Sequence, residues 1–279
     1  MDNKCISFEF SAPKSKEDGE KILKVCKRLD EFKPAFYSVT YGAGGSTRDG
    51  TKQMVLDLCK QGVNVAPHLS FGNDTAESIE NLINEYKEAG ISRIVALRGD
   101  IPSGMGSFKS LIYANELVAF IREKTGNHFH IEVAAYPEVH PDSGNVQEDI
   151  RYFKLKVDAG ANSAITQYFY NPDAYFRYVD LCSKAGVNIP IIPGIMPITN
   201  FRTLIRFSDI CGAEIPRWIY KNLESLEQDP EDLQRFADDV VCQLCRRLLE
   251  GGAPGLHIYT LNQSLPSVRL WNNLGLSSS

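Results

Sequence analysis

The chain has 279 residues, 43% hydrophobic and 23% charged, which is the makeup of a globular protein with a substantial core. Its net charge of −5 comes without a basic stripe, which argues against nucleic acid as a partner, and no apolar run reaches the roughly 18 residues a membrane span needs. Seven scattered cysteines fit reduced thiols in the cytoplasm better than a disulfide framework.

In chain order, strand-like runs fall at 5–10, 36–42, 63–71, 93–99, 130–137, 163–169, 191–197 and 255–260. Helical patterns lie between them at 16–29, 47–60, 74–89, 110–124, 146–159, 172–185 and 200–210. An additional helix is expected over 216–226, ahead of a long one over 229–250 and the eighth strand. Met1 stands almost directly before the first strand, so no signal peptide is expected. No low-complexity linker interrupts the alternation, so residues 1–279 read as one α/β domain. Eight βα units could spread as an open sheet or close into a (β/α)8 TIM barrel. The glycine-rich turn at 42–46 lacks the spacing of a dinucleotide fingerprint, which favours the closed barrel.

Barrel chemistry gathers at the carboxyl ends of the strands. There the sequence places Glu9, Thr40, Tyr41, His68, Arg98, Asp100, Tyr136, Glu138, His140, Gln167, Tyr259 and Asn262. Glu9 stands between Phe8 and Phe10; if both rings face the helices, alternation turns the carboxylate into the barrel. Short metal-ligand spacings are missing from the strand ends, the Cys242-x-x-Cys245 pair sits inside a helical pattern, and no nucleophile elbow appears. A wide polar rim with two carboxylates suits a large organic cofactor and general acid chemistry.

These segments together resemble the methylenetetrahydrofolate reductase family. The resemblance is carried by Ser7-Phe8-Glu9-Phe10, Ser38-Val39-Thr40-Tyr41-Gly42-Ala43, Ala66-Pro67-His68-Leu69 and the run 94–100. It continues through Ala134-Ala135-Tyr136-Pro137-Glu138-Val139-His140-Pro141, Lys156-Val157-Asp158-Ala159-Gly160-Ala161, Ile165-Thr166-Gln167, Ile192-Pro193-Gly194-Ile195 and Tyr259-Thr260-Leu261-Asn262.

The resemblance implies reduction of 5,10-methylenetetrahydrofolate to 5-methyltetrahydrofolate, feeding methionine synthesis. Electrons would come from NADH or NADPH, in ping-pong fashion through FAD. It makes Glu9 the general acid at folate N10 and Asp100 the carboxylate near flavin and pterin. An acid in that role needs a raised pKa, which the apolar neighbours Phe8 and Phe10 are expected to supply. FAD contacts are implied at Tyr41, Ala43, His68, Arg98, Gly99, Asp100, Ala114, Tyr136, His140, Asp149 and Lys156, with Tyr152 at the same site. A nicotinamide contact is implied at Thr40, and folate contacts at Gln167, Thr203, Phe207 and Gln263.

Four positions depart from the common bacterial pattern. Tyr152 stands where asparagine is usual, Leu155 and Gln263 where arginine is, and Thr203 where glutamine is. The resemblance also implies a homo-oligomer, and no regulatory C-terminal domain is expected. Two other readings share the barrel: a folate-reducing subunit fed electrons by an iron–sulfur partner, and a non-catalytic folate- or flavin-binding barrel.

Overall fold

A computed structural model describes residues 4–41, 48–72, 74–98 and 113–276. Its strands are β1 (Cys5–Phe10), β2 (Phe36–Val39), β3 (Val65–Leu69), β4 (Arg93–Ala96), β5 (His130–Ala135), β6 (Ser163–Thr166), β7 (Ile191–Ile192), β8 (Gly194–Ile195) and β9 (Gly255–Tyr259). All pair in parallel, in the order β7-β6-β5-β4-β3-β2-β1-β9-β8. The expected seventh strand is thus two pieces, β7 pairing with β6 and β8 with β9. The two ends of the sheet meet in that short segment and nearly close the barrel. The break falls at Pro193, which has no N–H to give the ladder. A Cβ on Gly194 would lie 2.1 Å from the Thr166 carbonyl oxygen, so only glycine lets the backbones approach this closely.

The helices are α1 (Lys16–Leu29), α2 (Arg48–Lys60), α3 (Ala76–Glu88), α4 (Ala114–Thr125), α5 (Val146–Asp158), α6 (Pro172–Lys184), α7 (Phe201–Cys211), α8 (Arg217–Ser225), α9 (Pro230–Glu250) and α10 (Leu265–Leu274). Most strands after β1 are a few residues shorter than the sequence patterns, because described residues such as Thr40, Leu97 and Tyr136 lie past the ladder at the mouth. The last helix, α10, was not anticipated. It packs on α9 through Arg269–Asp238 (2.7 Å) and lays Trp271 on Phe32, ring centroids 4.4 Å apart. Cys242 and Cys245 are buried on α9, and burial raises both thiols, so neither is poised for redox chemistry.

Side chains alternate across the sheet as period 2 requires. Phe8 and Phe10 point outward and stack on Tyr37, whose hydroxyl donates to Asp30 at 2.8 Å. Inside, Phe36, Ala66, Val95 and Ile165 form a small core separate from the large one under the helices. Below it, at the amino ends of the strands, the fully buried Glu132 is held by Arg93, His130 and Ser163. Above it, the interior turns polar.

Candidate active site at the barrel mouth

Glu9 projects into the barrel near its upper end. Its Oε2 lies 3.2 Å from His68 Nε2 on β3 and 3.4 Å from His257 Nε2 on β9, and it accepts a hydrogen bond from Ser38 Oγ at 3.4 Å. The His68 nitrogen is buried and makes no hydrogen bond among the described residues, so the approach to Glu9 is its polar contact on this face. His257 is fully buried and pinned from below by Ser7, whose Oγ is 2.7 Å from Nδ1. The strand register makes this meeting unavoidable, since Ser7 pairs with His257 and Glu9 with Ser38.

This surround corrects the expectation of a raised pKa. Burial does push Glu9 up, but the charge of His68 and the hydrogen bonding of His257 outweigh it and hold the carboxyl at about 2. The phenylalanines that were to supply an apolar setting sit on the other face of the strand, where they cannot desolvate it.

A second group lines the mouth beyond β3. Arg98 pairs with Asp142, and the Tyr136 and His140 rings meet edge to face at 4.4 Å. His140 Nδ1 accepts from the Asp142 N–H at 3.0 Å. On α5, started by the Asn145 cap, Asp149 is buried and accepts from Ser143 Oγ at 3.1 Å. Burial raises Asp149's pKa and lowers that of Lys156 to about 8. Lys156 Nζ donates to the Ala134 carbonyl at 2.5 Å. Ala114 opens α4, while Tyr152 and Leu155 are exposed on α5. Tyr41 donates to Asp74 at 2.8 Å, and Thr40 Oγ1 accepts the Ala12 N–H at 3.0 Å.

The third group forms an open cavity of about 520 Å³, lined by Ser11, Thr199, Asn200, Thr203, Phe207, Leu261 and Gln263. Asn200 caps α7 by accepting the Thr203 N–H at 2.9 Å, which turns Thr203 and Phe207 toward this space. Asn262 clamps the rim, exchanging two hydrogen bonds with the Ser11 backbone at 2.8 and 3.1 Å. Gln167, at the end of β6, receives the Tyr168 N–H on its own Oε1 at 3.0 Å.

Thr203, Phe207 and Gln263 therefore come together, as do Glu9 with His68 and Arg98 with His140, Asp149 and Lys156. Ala43, Gly99 and Asp100 lie outside the described residues. His257, Ser7 and Ser38 were missed in sequence, although alternation from Glu9 places Ser7 on its face and Ser38 is the cross-strand neighbour.

A parallel barrel that concentrates a carboxylate, histidines and cations at the carboxyl ends of its strands has the layout of a (β/α)8 barrel enzyme. The profile of the methylenetetrahydrofolate reductase family matches residues 1–275. The chain is 38% identical to the 5,10-methylenetetrahydrofolate reductase of Escherichia coli K12, over 97% of this chain and 90% of that one. It is 36% identical to methylenetetrahydrofolate reductase (NADH) 1 of Arabidopsis thaliana, over 98% of this chain and 48% of the plant protein. Among solved structures, a Clostridium thermocellum protein described as binding two copies of 5-methyl-5,6,7,8-tetrahydrofolic acid superposes with a TM-score of 0.64. That superposition covers 98% of this chain and 94% of the other at 18% identity, a likeness of fold alone. The chain belongs to the methylenetetrahydrofolate reductase family, and this membership supports methylenetetrahydrofolate reduction as its activity.

Proposed function

We propose that the protein reduces 5,10-methylenetetrahydrofolate to 5-methyltetrahydrofolate with electrons from NADH that pass through FAD, the two substrates occupying the mouth in turn. The carrying observation is the position of Glu9. Its strand lies between β2 and β9 in the sheet, with the Arg98–Lys156 group on one side and the cavity of Thr203, Phe207 and Gln263 on the other. NADH as the reductant is supported by the name of the Arabidopsis relative.

The residues present fit a flavin dinucleotide. His68 Nε2 is buried without a hydrogen-bond partner, and Lys156 is an enclosed ammonium spending a hydrogen bond on a carbonyl. Arg98 and Lys156 would hold the pyrophosphate, while His68, Tyr136, His140 and Tyr41 would contact the rest of the cofactor. Ala114, Asp149 and Tyr152 border the same region, and Ala43, Gly99 and Asp100 join it on the resemblance. A flavin held there would supply two-electron carrier chemistry between nicotinamide and folate.

Glu9 supplies the proton. In the free protein it is ionised, and His68 does most to keep it so. A ligand that displaces water from the mouth and engages His68 removes that support, and burial then drives the carboxyl toward the range of an acid. The protonated Glu9 opens the five-membered ring of the folate by protonating N10. Asp100 stabilises the cation that develops, Gln167, Thr203, Phe207 and Gln263 hold the substrate, and Thr40 contacts the nicotinamide. We assign the protein to the cytoplasm as a homo-oligomer; among the described residues no helix is long and apolar enough to cross a membrane.

The test is optical. The purified protein supplied with FAD should be yellow, bleach anaerobically with NADH, and regain colour with 5,10-methylenetetrahydrofolate. Failure to take up flavin would overturn the proposal. Flavin that NADH cannot reduce would point to an iron–sulfur electron donor instead, and ligand binding without turnover to a binding protein.

A further inference from the structure

Glu138 is a carboxylate that the chemistry above does not use. It lies in the loop after β5 that also carries Tyr136 and His140, and its two oxygens are treated unequally. Oε2 accepts the Glu214 N–H at 2.7 Å, whereas Oε1 is buried with no hydrogen-bond partner. Glu214 belongs to the segment that follows α7, the helix that places Thr203 and Phe207 in the cavity. The Glu138 contact therefore ties the cofactor side of the mouth to the cavity side.

Two further contacts reinforce the tie. Gly212, the C-cap of α7, has φ +72°, and a Cβ there would lie 2.9 Å from Pro141 Cγ, so the loop sits directly on the helix end. Tyr168, after β6, joins Ser208 of α7 at 3.0 Å between hydroxyls. The loop is also held in an unfavourable shape: Val139 has φ +71°, a region a β-branched residue avoids. Such a conformation persists only where surrounding contacts enforce it, and the Glu138 and Pro141 contacts flank it on both sides.

We propose that Glu138 is a positioning residue that docks the end of α7 onto the β5 loop and so sets Thr203 and Phe207 in register with Tyr136 and His140. The inference rests on the functional reading above for the identity of the ligands but not for the docking itself. The groups facing Glu138 are Glu214, from the segment after α7, and the Tyr168 phenol, which in turn neighbours Cys211 of α7. None of these is a cation. Burial raises the carboxyl to about 7, the Glu214 N–H working against this and the Glu214 charge with it. The docked arrangement thus favours the protonated form, and docking weakens as pH rises through about 7.

The experiment compares wild type, Glu138→Gln and Glu138→Ala, each supplied with FAD, between pH 6 and 8.5. It reads the dissociation constant of 5-methyltetrahydrofolate and, separately, the hydrogen-exchange protection of residues 206–216 corrected for intrinsic rates. In wild type both should weaken with rising pH, by roughly tenfold for a group whose pKa lies more than one unit above its unfolded value. Glu138→Gln keeps an acceptor for the Glu214 N–H without a charge, so both readings should stay tight and flat. Glu138→Ala should be weak throughout. A Gln variant that keeps the wild-type slope, or an Ala variant as well protected as wild type, overturns the proposal. A normal protection profile without folate binding would instead count against the functional reading while supporting the docking.

Discussion

His257 Nε2 and Glu9 Oε2 lie 3.4 Å apart at the upper end of the barrel, although 248 residues separate them in the chain. Strands β1 and β9 are neighbours in the sheet, and their register sets this pair above the Ser7–His257 contact. The Ser7 hydroxyl, 2.7 Å from Nδ1, fixes the ring so that Nε2 faces the carboxylate. The pair stabilises the fold when Glu9 is ionised, and for the proposed acid role it sets what a ligand would have to overcome.

That stabilisation should be visible in acid. The folded-state pKa of Glu9, about 2, lies below the ordinary 4.5, so its contribution is present above pH 4.5 and is lost as pH falls toward 2. Glu9→Gln should lack this component, which we put at about 3 kcal/mol as an order of magnitude. Urea unfolding of both proteins between pH 3 and 7 checks it: the difference in unfolding free energy should shrink as pH falls below 4.5.

The floor of the barrel should behave oppositely, with a large effect on stability and none on chemistry. Glu132 is fully buried beneath the interior core, against Arg93 and His130. Removing it in Glu132→Ala strands the Arg93 charge and should cost about 3–5 kcal/mol. Turnover per folded molecule, measured well below the midpoint of unfolding, should be unchanged.

Barrel closure depends on Gly194. Placing a Cβ 2.1 Å from the Thr166 carbonyl in Gly194→Ala must push β8 off its neighbour. A loss of about 3 kcal/mol is expected, read as a lowered Tm with earlier loss of the near-ultraviolet circular dichroism signal. A variant as stable as wild type would show that the segment closes with slack.

Much of this arrangement is legible in the sequence because period-2 alternation and strand-end polarity are local signals. Glu9 between two phenylalanines is enough to place the carboxylate inside, and strand-end polarity is enough to place His68, Arg98, Tyr136 and Gln167 at or near the carboxyl ends of their strands. The partners of Glu9 are not legible in that way. His257 is a single polar residue in an apolar strand, and only the closure of β9 against β1 brings it to the carboxylate. The reversed pKa direction has the same origin, since neighbouring phenylalanines in sequence are on the opposite face in space. The split at Pro193 and the docking of α10 on α9 likewise depend on tertiary contacts rather than on local pattern.

In the proposed function Glu9 acts on the folate and not on the nicotinamide. Anaerobic stopped-flow absorbance of the flavin in Glu9→Gln measures both half-reactions separately. Reduction by NADH should stay within a few-fold of wild type, while reoxidation by 5,10-methylenetetrahydrofolate should slow by about 10²–10⁴-fold, the range of a lost general acid. Equal slowing of both half-reactions, or none of the second, would contradict the account.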